Sequence, residues 1–167
     1  MRVVPRHFAD RDRALREHLV WLLSGGHAHV RFDAAVTGLP LRLQGARPAG
    51  IPYSPWMLLE HLRISQWDIV EFSHTPRHVS PPWPAGYWPK RPEPPTAAAW
   101  SRSVRAFRRD LKKMIALVRN PKTDLYARLP HGRGHTVLRE AMLLADHNAY
   151  HLGQLVAVRR MLGAWKA

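Results

Sequence analysis

The chain has 167 residues, with 26 Lys+Arg against 12 Asp+Glu for a formal charge of +14, and no cysteine. That length fits one domain, 1–167, with a core large enough to need no staples, and the missing thiols exclude disulfides, Cys-based zinc sites, iron–sulfur clusters and a cysteine nucleophile. Charged residues follow Met1–Arg6 where a leader would be apolar, and no run approaches the roughly 18 apolar residues of a membrane span, so a cytoplasmic protein with no membrane association is expected.

The first helix is expected from near Asp10, its N-cap, to Leu23, with Leu15, Leu19, Leu22 and Leu23 as its apolar stripe and Gly25-Gly26 ending it. His18, beside that stripe, reads as a satisfied or boundary histidine outside any site, and His27 and His29 at the glycine turn read as exposed. Residues 30–38 suit a short helix around Phe32, Ala35 and Val36. The stretch up to Pro55, punctuated by Pro40, Pro48, Pro52, Gly45 and Gly50, is a connector. Ser54-Pro55 then supplies an N-cap and a proline at the first helical position. The second helix runs from Pro55 to about Phe72, with Met57, Leu58, His61, Ile64, Ser65, Asp68 and Phe72 along one side. Glu60, about 100° round from His61, reads as surface.

From Thr75 to Pro95 there are eight prolines, with Trp83, Tyr87 and Trp88 among them. This is a long irregular crossover whose aromatics are expected to cap the apolar end of the core; walling a pocket mouth is the alternative. The third helix opens at Thr96 and carries Trp100, Val104, Phe107, Leu111, Met114 and Val118 on one stripe, supplying core only. Arg102, Arg105, Arg108, Arg109, Lys112 and Lys113 fall mostly on its other face. They read as a solvated surface that attracts polyanions weakly at low salt, and with no recognisable reading module specific nucleic-acid binding is not expected. His131 and His135 lie in a glycine turn and read as exposed. Thr136 caps a fourth helix running to Leu162 with Leu138, Met142, Leu144, Leu155, Val158 and Met161. No P-loop, GxGxxG, GxSxG or EF-hand pattern occurs, which removes the nucleotide and serine-hydrolase readings.

Two of the remaining histidines, His147 and His151, stand four residues apart on that fourth helix, offset by about 40° and about 6 Å, so both imidazoles can reach one ion. A structural pair is the competing reading. The pair is not HExxH, because Asn148 occupies the position of the catalytic glutamate. Any ion therefore needs a third ligand from another helix, and His61 on the core side of the second helix is the candidate. Asp68, two turns later, is expected to orient an imidazole or to lie near an open coordination position, with pairing to an arginine as the competing reading. Gln154 has the best helical phase among the neighbours Asn148, Tyr150 and Gln154, and Tyr150 the weakest.

Trp56-Met57-Leu58-Leu59-Glu60-His61-Leu62, the long segment before the third helix, and the late run His147-Asn148-Ala149-Tyr150-His151-Leu152-Gly153-Gln154 together resemble the DinB-like (DinB/YfiT-like) superfamily. The resemblance covers nearly the whole chain, resting on motif in the second and fourth helices and on layout elsewhere. It implies an all-α, up-up-down-down four-helix bundle, frequent homodimers, and a divalent metal held by His61, His147 and His151. Zinc or nickel is the expected ion, with iron or manganese as alternatives. It also implies diverse chemistry: transferases joining a low-molecular-weight thiol to an electrophile, hydrolases, and isomerases. An open fourth position would hold water or a substrate thiolate, and the ion would lower the pKa of either. The expectation is thus a metal-dependent transferase or hydrolase, with Asp68, Tyr150 and Gln154 as candidate catalytic residues. Its rival is a dimeric metal-stabilised bundle serving as a binding or interaction protein.

Overall fold

The computed structural model describes residues 6–26 and 28–165; the expectations for the first five residues and for His27 lie outside them. Among the described residues the protein is all-helical, without a named strand: α1 (Arg6–Leu23), α2 (Phe32–Val36), α3 (Leu41–Gln44), α4 (Pro55–His74), α5 (Ala99–Arg119) and α6 (Val137–Met161). The four long helices expected from the sequence are α1, α4, α5 and α6. Two start as the caps require, since the Ser54 hydroxyl accepts from the Met57 amide at 3.2 Å and the Thr136 hydroxyl from the Arg139 amide at 3.1 Å. Two do not. Asp10 lies inside α1, where its carboxylate pairs with Arg13 at 3.1 Å instead of capping. The Thr96 hydroxyl oxygen accepts from the Arg102 guanidinium instead of capping, and α5 begins only at Ala99, without a side-chain cap.

α4 packs against both α5 and α6, and α1 packs against the same two helices. One core cluster gathers Phe32, Leu58, Leu62, Trp100, Phe107 and Leu155; the other gathers Leu19, Val70, Met114, Val118, Leu125 and Leu144. Phe107 stacks on Phe32 with centroids 3.8 Å apart. Full burial of each such side chain stabilises the fold by about 1.5–3 kcal/mol. Leu22, Met142 and Met161 leave the expected stripes and are exposed. The ends are tied by two arginines. Arg16 of α1 donates to the carbonyls of Val118, Asn120 and Thr123 at 2.7, 3.0 and 2.8 Å, putting a cation at the C-terminal end of α5, where unpaired carbonyls and the helix dipole favour one. Arg159, buried near the end of α6, donates to the Ala35 carbonyl of α2 at 2.6 Å and twice to the Ala164 carbonyl.

Three surface expectations are corrected. Glu60 is buried, clasped by Arg63 through two 2.9 Å bonds and accepting from Ser103 of α5. α5 supplies more than core: Asp110 is buried too, with Arg109 at 3.1 Å and Lys113 at 3.7 Å offsetting its charge. His131 and His135 are part-buried against the Phe72 ring, and His131 Nε2 lies 2.7 Å from the Phe72 carbonyl. His29 is exposed as expected, and His18, read as a satisfied or boundary histidine, is exposed too.

Candidate metal centre

α4 contributes His61 and α6 contributes His147 and His151, and the packing of these two helices turns the three imidazoles toward one another. His61 Nε2 stands 3.0 Å from His151 Nε2 and 3.1 Å from His147 Nε2. One nitrogen from each ring lies within 4.8 Å of the others, a grouping that could hold a metal ion. His61 is 4% exposed and His151 9%, while His147 is half-buried.

The other ring nitrogens show what kind of contact this is. His61 Nδ1 lies 3.0 Å from the Tyr87 carbonyl, which only accepts, so Nδ1 carries the proton and Nε2 presents a lone pair. His151 Nδ1 likewise faces Gln154 Oε1 at 2.7 Å. Two lone pairs pointed at each other at 3.0 Å repel, and a cation between them reverses the sign. Imidazole nitrogens on a tetrahedral ion at about 2.0–2.1 Å stand about 3.3 Å apart, so the two pairs that His61 makes, with His151 and with His147, need only a few tenths of an ångström of adjustment to share a divalent ion. His147 Nδ1 and the neighbouring Asn148 Oδ1 are buried without hydrogen-bond partners; Asn148 Nδ2 instead donates to Gln66 Oε1 at 3.0 Å.

Electrostatics keep the rings neutral. Burial pushes His61 down from 6.5 to about 4, against the opposing pull of the Tyr87 carbonyl and with a further push from His151. Burial, then His151 and His61, lower His147 to about 3, with Asn148 opposing. Burial also lowers His151, and Gln154 resists it. Neutral imidazole is the form that binds metal. The sign for stability follows: an unfolded chain takes up protons near pH 6.5, whereas folded His61 and His147 do so only near 4 and 3. The metal-free protein is therefore expected to hold constant stability from these two groups above about pH 6.5 and to lose it progressively down to about pH 3. Urea midpoints measured in chelator at pH 7.5, 5.5 and 4.5 check this, and a midpoint that does not fall with pH would contradict it.

The segment between α4 and α5 holds the surroundings that periodicity did not reveal. The Trp88 ring lies flat on His61, with centroids 4.0 Å apart and an interplanar angle of 3°, and Tyr53 stacks behind it at 4.8 Å. Tyr87 and Trp88 thus border the site, the alternative to capping the core, while Trp88 also packs on the first core cluster; Trp83 alone of the three is largely exposed. Asp68 touches no imidazole of the three. Its carboxylate accepts from the Tyr87 hydroxyl at 2.6 Å and meets His78 Nε2 at 2.7 Å. Gln154 supports His151 as its phase suggested, and Tyr150, 64% exposed, sets its ring edge-on to His151 at 4.9 Å. Gln66 is a buried polar residue near the site that helical phase did not single out; it lies five residues from His61, about 140° round, and the burial of α4 on most sides was the available signal.

An all-helical chain that brings three neutral imidazoles together from two core helices falls in the class of helical proteins with a candidate metal centre. Within that class its family is shown directly: residues 27–155 match the family model described as the DinB superfamily, and the chain belongs to that superfamily. No curated protein and no solved structure matches the chain.

Proposed function

We propose that His61, His147 and His151 hold a divalent ion, zinc or nickel ahead of iron or manganese, in a metal-dependent enzyme of the thiol-transferase or hydrolase type. The observation that carries this reading is the convergence of Nε2 atoms whose Nδ1 partners, in His61 and His151, leave lone pairs facing inward. A dication held there supplies a lowered pKa to a water or thiol at its open position. The chain's own residues do the rest. The Tyr87 carbonyl and Gln154 hold two Nδ1 protons, Trp88 keeps water from one face of His61, and exposed Tyr150 flanks the accessible side near His151. The pairwise packing of α1 and α4 against α5 and α6 supports an up-up-down-down four-helix bundle, with the Pro-rich segment before α5 as its crossover. About one divalent ion per chain is expected by elemental analysis of protein purified without chelator or histidine tag; content near zero after refolding with zinc, nickel, iron and manganese in turn would sink the proposal.

One observation favours a second reading. Both Asp68 oxygens are engaged by Tyr87 and His78, so Asp68 is not a free general base, as a metal-stabilised binding protein would allow. Turnover by the metal-loaded protein in a screen of electrophiles with low-molecular-weight thiols, beside a hydrolase panel, separates the two. In either case the proposed setting is a cytoplasmic homodimer: among the described residues no helix is long and apolar enough to cross a membrane, and α1 and α6 expose Trp21, Leu22, Met142 and Leu143. Light scattering at tens of micromolar should give the dimer mass, and a monomer mass there would count against it.

A further inference from the structure

His61 owes its surroundings to a segment with little regular structure. The Tyr87 carbonyl that fixes its tautomer and the Trp88 ring on its face both belong to the stretch between α4 and α5, where the described backbone forms only the 3-10 turn Ala85–Tyr87. A backbone tied to itself only by short turns needs side-chain attachments to hold a carbonyl in place against a neighbouring helix. Tyr53 stacks on Trp88, and the polar attachment at Tyr87 is Asp68. It lies two turns beyond His61 on the same helix, is buried, and binds this segment at two points, the Tyr87 hydroxyl at 2.6 Å and His78 Nε2 at 2.7 Å. One residue therefore carries both the hydroxyl that Asp68 grips and the carbonyl that His61 meets.

We infer that Asp68 is a positioning residue of the metal centre, acting through Tyr87: by anchoring Tyr87 and His78 it seats the Tyr87 carbonyl on His61 Nδ1 and the Trp88 ring on the His61 face. The inference rests on the three-histidine reading above and adds that ion affinity is coupled to the docking of this segment. The coupling is reciprocal, so a bound ion also holds the segment down. Removing a partner that orients a metal-ligating histidine weakens metal binding by about 10- to 100-fold in proteins generally.

The probe is zinc, with affinity read by competition against a chromogenic chelator, and cobalt(II) absorption as the signature of ligand geometry. Asp68→Ala should weaken zinc about 10- to 100-fold. Tyr87→Phe, which removes the hydroxyl and keeps the carbonyl, should move affinity the same way by less, and Asp68→Asn, with one acceptor oxygen left, should fall between the native chain and Asp68→Ala. The cobalt bands should shift in the same order. A residue that only stabilised the fold would lower the metal-free melting temperature while leaving zinc affinity and the cobalt spectrum in place, and that result overturns the inference. So does zinc binding within about twofold of the native chain in both Asp68→Ala and Tyr87→Phe. If Asp68→Ala fails to fold, Tyr87→Phe decides by the same criterion. A native chain that binds neither zinc nor cobalt overturns the three-histidine reading itself, which is a different result from a native chain that binds and variants that bind equally well.

Discussion

Alanine at His61, His147 or His151 is expected to abolish stoichiometric metal binding in each case, because two imidazoles and a gap replace three converging donors. A ligand that binds only the native state stabilises by about 4 kcal/mol when its free concentration is about a thousandfold above Kd. For a domain of this size that is a shift of roughly 10 °C in melting temperature. The three variants should lose that increment while still folding, since the two core clusters around Phe107 and Leu144 collapse without an ion. Elemental analysis and thermal melts with and without zinc read both effects. His131 and His135 are poor controls because their rings pack on Phe72; the exposed His18 and His74, changed to alanine, should keep both metal and increment. Full occupancy in His61→Ala alongside loss in His147→Ala would show that α4 donates no ligand.

The second large effect is expected at Gln66, which is completely buried. Its amide nitrogen donates to the Phe107 carbonyl of α5 at 2.6 Å and its oxygen accepts from Asn148 of α6 at 3.0 Å, so one side chain of α4 ties both neighbouring helices. Gln66→Leu roughly keeps the volume and removes both bonds, leaving the buried Asn148 amide nitrogen without this partner on a side chain whose oxygen already lacks one. A buried polar group stripped of its partner costs about 1–3 kcal/mol, and with the second bond the loss should reach about 2–4 kcal/mol. Urea unfolding measures it directly. A change below about 0.5 kcal/mol, the range of an ordinary surface substitution, would show that the pair of bonds contributes little.

The spacing of His147 and His151 and the phase of His61 were legible because helical geometry converts sequence distance into direction. The caps at Ser54 and Thr136 were legible for the same reason: a hydroxyl three residues before a free amide is a local arrangement. Glu60 was misread because a 100° turn away from the core means solvent only when a helix has one packed side, and α4 has α5 and α6 on two. Asp110 on α5 escaped notice through the same simplification. For Tyr87 and Trp88 a cap on the core and the wall of a pocket stood as alternatives, and nothing local decided between them. They reach His61 from 26 and 27 positions away along a chain without periodicity, and only the folded path brings them there.

The unequal burial of the three imidazoles bears on time as well as affinity. His61 and His151 are nearly sealed, with Trp88 flat against the first, and His147 alone is half-open to water. With two of the three nitrogens covered, an ion proposed to sit among them would have to displace side chains or the segment that carries Trp88 to leave, so its residence should be long compared with the diffusion of free metal. Whichever ion loaded first would then be retained through a purification. What an elemental assay reads in such a protein is a history, the ions that were abundant when the chain closed, more than a ranking of its preferences.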